Sequence, residues 1–165
     1  MNRPVEKEVF SLRRELPSRL AEVEAFCHEL RALCRRESLS SRAFAVELVA
    51  REALNNAVLH GNAGDEKKRV TFELRCGREW IRLSIRDEGP GFHWRARRRE
   101  VPSGAADSGR GLPILALYAA RVQFNRCGNR VTLWLRKNAP AATRRAPMGA
   151  TPDTPPRITH RQTRT

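Results

Sequence analysis

Aromatic residues are scarce in this chain: Phe, Trp and Tyr make up 6% of it, with a single tyrosine. A surface that stacks nucleic-acid bases needs more of them, interleaved with cations. Acidic residues are also short, 18 against 32 basic, for a formal charge of +14. There are four cysteines, Cys27, Cys34, Cys76 and Cys127, and none forms a C-x-x-C pair. The usual zinc and redox spacings are therefore absent, and free buried or half-buried thiols in a reducing compartment are expected. No apolar run is long enough to span a bilayer, and Met1-Asn2-Arg3-Pro4-Val5-Glu6 carries no apolar signal region. The expectation is a soluble cytoplasmic protein without a membrane partner.

The 165 residues are enough for one domain with a usable core. The positive charge invites a nucleic-acid reading, but arginine supplies 28 of the 32 basic residues, which fits a codon bias as well as a site. The segment 139–165 holds five arginines and one aspartate, so +4 of the +14 lies there and +10 in the body. Nucleic acid is not expected as the main partner.

Residues Glu8 to Leu16 read as a first strand. Pro17-Ser18 opens a helix, with Ser18 as its N-cap. Val23, Phe26, Cys27, Leu30, Leu33 and Cys34 follow the helical period, so that helix buries one face. After a polar break at Ser38 to Ser41, a second helix runs from about Arg42 to about Leu59. It stops at Gly61-Asn62, where glycine can take a left-handed cap. Its apolar, small residues are Phe44, Leu48, Val49, Ala53, Ala57 and Val58. Val70, Phe72 and Leu74 alternate with polar neighbours, and after a turn at Cys76 to Glu79 so do Ile81, Leu83 and Ile85, which predicts a hairpin. Phe92 to Ser108 has no clear period and reads as a mobile loop. A third helix is expected from about Leu112 to Ala120, then a last hairpin, Val122 to Arg126 and Val131 to Leu135, turning at Cys127-Gly128-Asn129. The fold class is α+β: a two-layer sandwich with helices on one face of a mixed, mostly antiparallel sheet. The folded domain spans 1–138, and the Pro/Thr/Arg-rich tail, 139–165, is expected to stay unstructured.

Three patterns carry chemistry. Glu52, Asn56 and His60 repeat at four residues, so a carboxylate, a carboxamide and an imidazole line one helix edge. A solvated face gives the same stripe. Asp87-x-Gly89-x-Gly91 directly follows a strand. A plain turn fits it, and so does an aspartate that accepts a hydrogen bond from an exocyclic amine such as adenine's, beside glycines that admit a ligand closely. Ser108-Gly109-Arg110-Gly111-Leu112 opens a helix, where free amides and a guanidinium suit phosphate oxygens. His60 could lie near a pocket, but a histidine at a helix C-terminus is favourable without any ligand.

The order and spacing of the three patterns resemble the GHKL (Bergerat-fold) ATPase superfamily, which includes the ATP-binding domains of histidine kinases and gyrase. The resemblance covers about Glu8 to Lys137. Within that group, Asn56-Ala57-Val58-Leu59-His60-Gly61-Asn62 and Gly128-Asn129-Arg130-Val131-Thr132-Leu133-Trp134-Leu135 look like bacterial anti-sigma-factor serine/threonine kinases of partner-switching systems. The resemblance implies that Glu52 is the general base for an attacking hydroxyl, that Asn56 holds Mg²⁺, and that Asp87 reads adenine with Gly89 and Gly91 shaping that wall. It implies that Gly109, Arg110, Gly111 and Leu112 close on the phosphates of ATP, with Phe92 to Ser108 as the lid. One departure stands out: the superfamily usually has threonine where this chain has Asn129, which puts that adenine contact in doubt. The lid run Arg97-Arg98-Arg99 either draws an acidic partner or phosphate, or is solvated.

Three functions follow for testing. The first is an ATP-dependent serine/threonine kinase acting as an anti-sigma factor. Its partners would be a sigma factor and an antagonist protein that it phosphorylates, and a homodimer is possible because relatives commonly dimerise. The second is an ATP-dependent binding switch of the same fold that transfers no phosphate. The third, nucleic-acid binding through the basic lid and tail, predicts a steep salt dependence.

Overall fold

A computed structural model describes residues 5–37, 39–91, 115, 117–138 and 157–159. In chain order the elements are β1 (Val5–Lys7), β2 (Phe10–Pro17), α1 (Leu20–Arg36), a 3-10 turn (Ser40–Arg42), α2 (Ala43–Asn56), a π-helical turn (Ala57–Gly61), β3 (Arg69–Cys76), β4 (Trp80–Asp87), β5 (Arg121–Phe124), β6 (Arg130–Arg136) and β7 (Arg157–Thr159). Residues 115, 117 and 118 are helical, and the helix expected to reach Ala120 has ended by Ala119.

Strands β2, β3, β4, β6 and β5 form one sheet in that order, and every neighbouring pair is antiparallel. The α+β layering is as expected, while the sheet is antiparallel throughout rather than mixed. The parallel pair is separate: β1 and β7 make a two-stranded sheet. Three residues of the expected unstructured tail thus have a backbone partner, which composition alone does not reveal. The expected first strand, Glu8 to Leu16, is β2, which begins at Phe10 and runs to Pro17, and β1 lies before it.

Strand alternation decides which side chains meet the helices. Val70, Phe72 and Leu74 of β3, Ile81, Leu83 and Ile85 of β4, and Val131, Leu133 and Leu135 of β6 are all buried. On α1, Val23, Phe26, Cys27, Leu30 and Cys34 are buried while Leu33 is only half-buried. Phe26 meets Phe72 edge to face, ring centroids 5.0 Å apart. Such a pair adds about 0.5–1.5 kcal/mol to the area term. The face of α2 that meets the sheet is largely alanine and valine (Ala45, Val46, Val49, Ala50, Ala53). Small side chains let the helix lie close. Phe44 is an exception to the expected apolar face. It is exposed, edge to face with Tyr118 at 6.4 Å and under the Arg31 guanidinium at 5.9 Å.

One expectation about α1 is corrected. The N-cap of α1 is Arg19, not Ser18, and it makes no side-chain cap bond. Ser18 is buried and spends its hydroxyl elsewhere, as described below. Of the cysteines, Cys27, Cys34 and Cys76 are buried and free, whereas Cys127 is exposed. Burial pushes the Cys27 thiol up to about 11 and Cys34 up to about 12, so neither is a ready nucleophile.

Between the helices, Glu47 is nearly buried and held by Arg31 at 3.2 Å and Arg51 at 2.8 Å. Arg51 also pairs with Glu24, which holds the Arg51 guanidinium above its ordinary range and the Glu24 carboxyl below its own.

Candidate functional site

The site begins where α2 ends. Regular α-helix stops at Asn56, and the next turn widens: the Asn62 N–H donates to the carbonyl of Ala57, five residues back, at 2.7 Å. Single π turns of this kind are rare and frequently fall at functional sites. The expected left-handed cap at Gly61 is not there. Positive φ falls instead at Ala63 (54°) and Gly64 (72°). Gly61 is glycine for a different reason. A Cβ on it would lie 2.6 Å from Asp87 Oδ2, and a Cβ on Gly89 would run into the Gly61 carbonyl oxygen. The helix end and the strand end press together with no room for a methyl group.

Asp87 closes β4 in that contact. It is 8% exposed, and its Oδ1 accepts the Gly89 N–H at 2.9 Å. Its own N–H donates to the Asn129 carbonyl at 3.0 Å. Burial pushes the carboxyl above its ordinary value, and the Gly89 N–H bond, with Lys68 and Arg86 more weakly, pulls the other way. Gly91 has a φ of 81°, and a Cβ there would overlap the Cys127 carbonyl. The doubt over Asn129 is answered in part by its partners. Its Oδ1 accepts from Asn125 Nδ2 at 2.8 Å, and the Asn125 Oδ1 in turn takes the N–H groups of Gly128 at 2.8 Å and Arg130 at 3.1 Å. Asn129 is therefore engaged in holding the hairpin loop.

Glu52 and Asn56 stand on α2, one turn apart, both half-buried. Among the described residues neither side chain makes a hydrogen bond or ion pair. Glu47, on the same helix, is fully committed to arginines. His60 is exposed at the end of the widened turn, where a helix C-terminus favours it. The Asn56 carboxamide, half-buried and uncommitted, fits a single protein ligand to a cation otherwise held by phosphates and water. Gly109, Arg110, Gly111 and Leu112, together with residues 92–108, lie outside the described residues.

Reasoning from the sequence missed Asn62. It is completely buried, and its carboxamide ties three segments together. Nδ2 donates to Ser18 Oγ at 3.2 Å and to the Arg69 carbonyl at 3.0 Å, while Oδ1 accepts the Glu88 N–H at 2.9 Å. Glu88, expected to be a solvated turn residue, is also engaged, because its carboxylate accepts the Arg69 N–H at 2.8 Å. A Gly-Asn pair after a helix signals only a turn, so nothing local could reveal a buried amide. Replacing Asn62 with Ala should cost about 1–3 kcal/mol, because it strands the Arg69 carbonyl and the Glu88 N–H. Denaturant melts measure it, and a loss within error would show that water or rearrangement replaces the amide.

The helix-on-sheet layering, with a buried aspartate where a strand end meets a helix end, is consistent with an ATP-binding domain of the GHKL class. The chain belongs to the histidine kinase-like ATPase domain family, whose profile matches residues 16–137. No curated protein matches the chain. Among the described residues no helix is long and apolar enough to cross a membrane.

Proposed function

We propose that the protein is an ATP-dependent serine/threonine kinase that acts as an anti-sigma factor and phosphorylates an antagonist protein. One observation carries the reading: Glu52 is a half-buried carboxylate with no hydrogen-bond or ion-pair partner among the described residues, on the helix whose end packs against Asp87. A charge kept in that position without a partner calls for a chemical role.

In this reading the adenine amine donates to the Asp87 carboxylate. Asn56 would hold Mg²⁺, which when bound neutralises charge on the phosphates. The serine or threonine hydroxyl of the antagonist gives its proton to a Glu52 carboxylate oxygen. Its oxygen bonds to the γ-phosphorus as the bond to the β–γ bridging oxygen breaks, leaving ADP. Gly109, Arg110, Gly111 and Leu112 would close on the phosphates. Little covalent work falls to the protein, since positioning and charge supply most of the effect.

The test is incubation of the chain with γ-labelled ATP, Mg²⁺ and a candidate antagonist recovered by pull-down from the source cell. Label on serine or threonine, matched by ADP, is the expected result. Tight nucleotide binding with no phosphoserine or phosphothreonine would favour the ATP-dependent binding switch instead.

A further inference from the structure

The sheet has a second face, turned away from the helices, and its charge is one-sided. Its outward positions include Arg75, Arg82, Arg121 and Arg136 at one end and Arg69, Arg86 and Arg130 at the other. The two glutamates among the outward positions, Glu15 and Glu73, both pair with Arg13. At the end nearest Asp87, Arg86 and Arg130 sit directly opposite each other on β4 and β6. Arg69 stands diagonally across from Arg86 on β3, where Arg86 faces Thr71. All three are exposed, and among the described residues none makes an ion pair. Like charges directly opposite across a strand pair destabilise a sheet. Strands lie about 5 Å apart, so three guanidiniums crowd a short stretch of flat surface.

We propose that this end of the outward face is a docking surface for an acidic segment of a partner protein. Carboxylates would take the forked donors of arginine and relieve the repulsion between Arg86 and Arg130. A nucleic acid fits less well. The two tryptophans on this face, Trp80 and Trp134, are buried and lie under Arg136 at 4.3 Å and Arg121 at 5.3 Å, so neither offers a ring for base stacking. A flat sheet face cannot enter a duplex groove. The chain's own tail is excluded by its charge, five arginines against one aspartate over 139–165.

The experiment uses the full chain and two labelled probes: a twenty-residue poly-glutamate peptide and a twenty-nucleotide oligothymidylate. Poly-glutamate is expected to bind and to protect amides at the Arg86 and Arg130 end of β4 and β6. Arg86→Glu with Arg130→Glu should weaken it at least about tenfold. The control, Arg35→Glu with Arg78→Glu, changes net charge equally at two exposed sites elsewhere and should weaken it far less. Arg130→Glu alone separates binding from folding: it puts an opposite charge across from Arg86, so melting temperature should rise while peptide affinity falls. Equal losses in both double variants would show diffuse charge at work and overturn the proposal. So would absence of poly-glutamate binding, or tighter binding of the oligothymidylate abolished by the same two substitutions.

Discussion

Replacing Glu52 with glutamine is expected to leave ATP binding close to wild type and to lower phosphoryl transfer about 10²- to 10⁴-fold, the usual worth of a general base. Glutamine keeps the shape of the side chain and removes only its ability to take a proton. Glu52 has no hydrogen bond or ion pair among the described residues to lose, so stability should change by no more than about 0.5 kcal/mol. Glu47→Gln makes the contrast on the same helix. There the carboxylate answers Arg31 and Arg51, and the change should act on stability, not on transfer. Single-turnover transfer and calorimetric titration with ATP and Mg²⁺ separate the two quantities. Transfer at the wild-type rate in the Glu52 variant would remove the carboxylate from the chemistry.

Asp87→Asn is expected to act in opposite directions on folding and on binding. The folded protein holds the Asp87 carboxyl above its ordinary value because burial penalises the charge. A carboxyl raised on folding binds more protons in the native than in the unfolded state. Its contribution to stability is therefore complete below the unfolded value and is lost as pH rises through the folded one. At neutral pH the ionised aspartate is a net cost, and asparagine removes it while still accepting the Gly89 N–H through its oxygen. The nucleotide-free variant should melt higher at pH 7, with the gain shrinking below the ordinary aspartate range. ATP affinity should fall about ten- to a hundredfold, since a hydrogen bond to a charged group is worth about 1.5–3 kcal/mol. Thermal melts across pH and competition between ATP and GTP check both arms. A variant as tight and as selective for adenine as wild type would take Asp87 out of base recognition.

The layers were legible because periodicity is a local property. Alternation at Val70, Phe72 and Leu74, and again at Ile81, Leu83 and Ile85, marks strands that bury one face. The period of Val23, Phe26, Cys27 and Leu30 marks a helix. Boundaries were harder. Ser18 looked like a cap because serine before a helix commonly is one, but its hydroxyl serves an amide 44 residues away. Phe44 looked like core because it is apolar and in phase, yet it lies against Tyr118 outside.

The candidate site divides along the same line. Residue type and spacing in the chain determined that Glu52 and Asn56 share a helix edge and that Asp87 ends a strand at a glycine turn, because both follow from geometry within a few residues. Only the tertiary structure decided that Gly61 must lack a side chain so that Asp87 can sit against it, that Gly89 must lack one for the Gly61 carbonyl, and that Asn62 is the buried amide tying Ser18, Arg69 and Glu88 together. Those contacts join residues far apart in the chain. Steric exclusion and the pairing of buried polar groups are settled only when the layers have packed, so no local pattern can announce them.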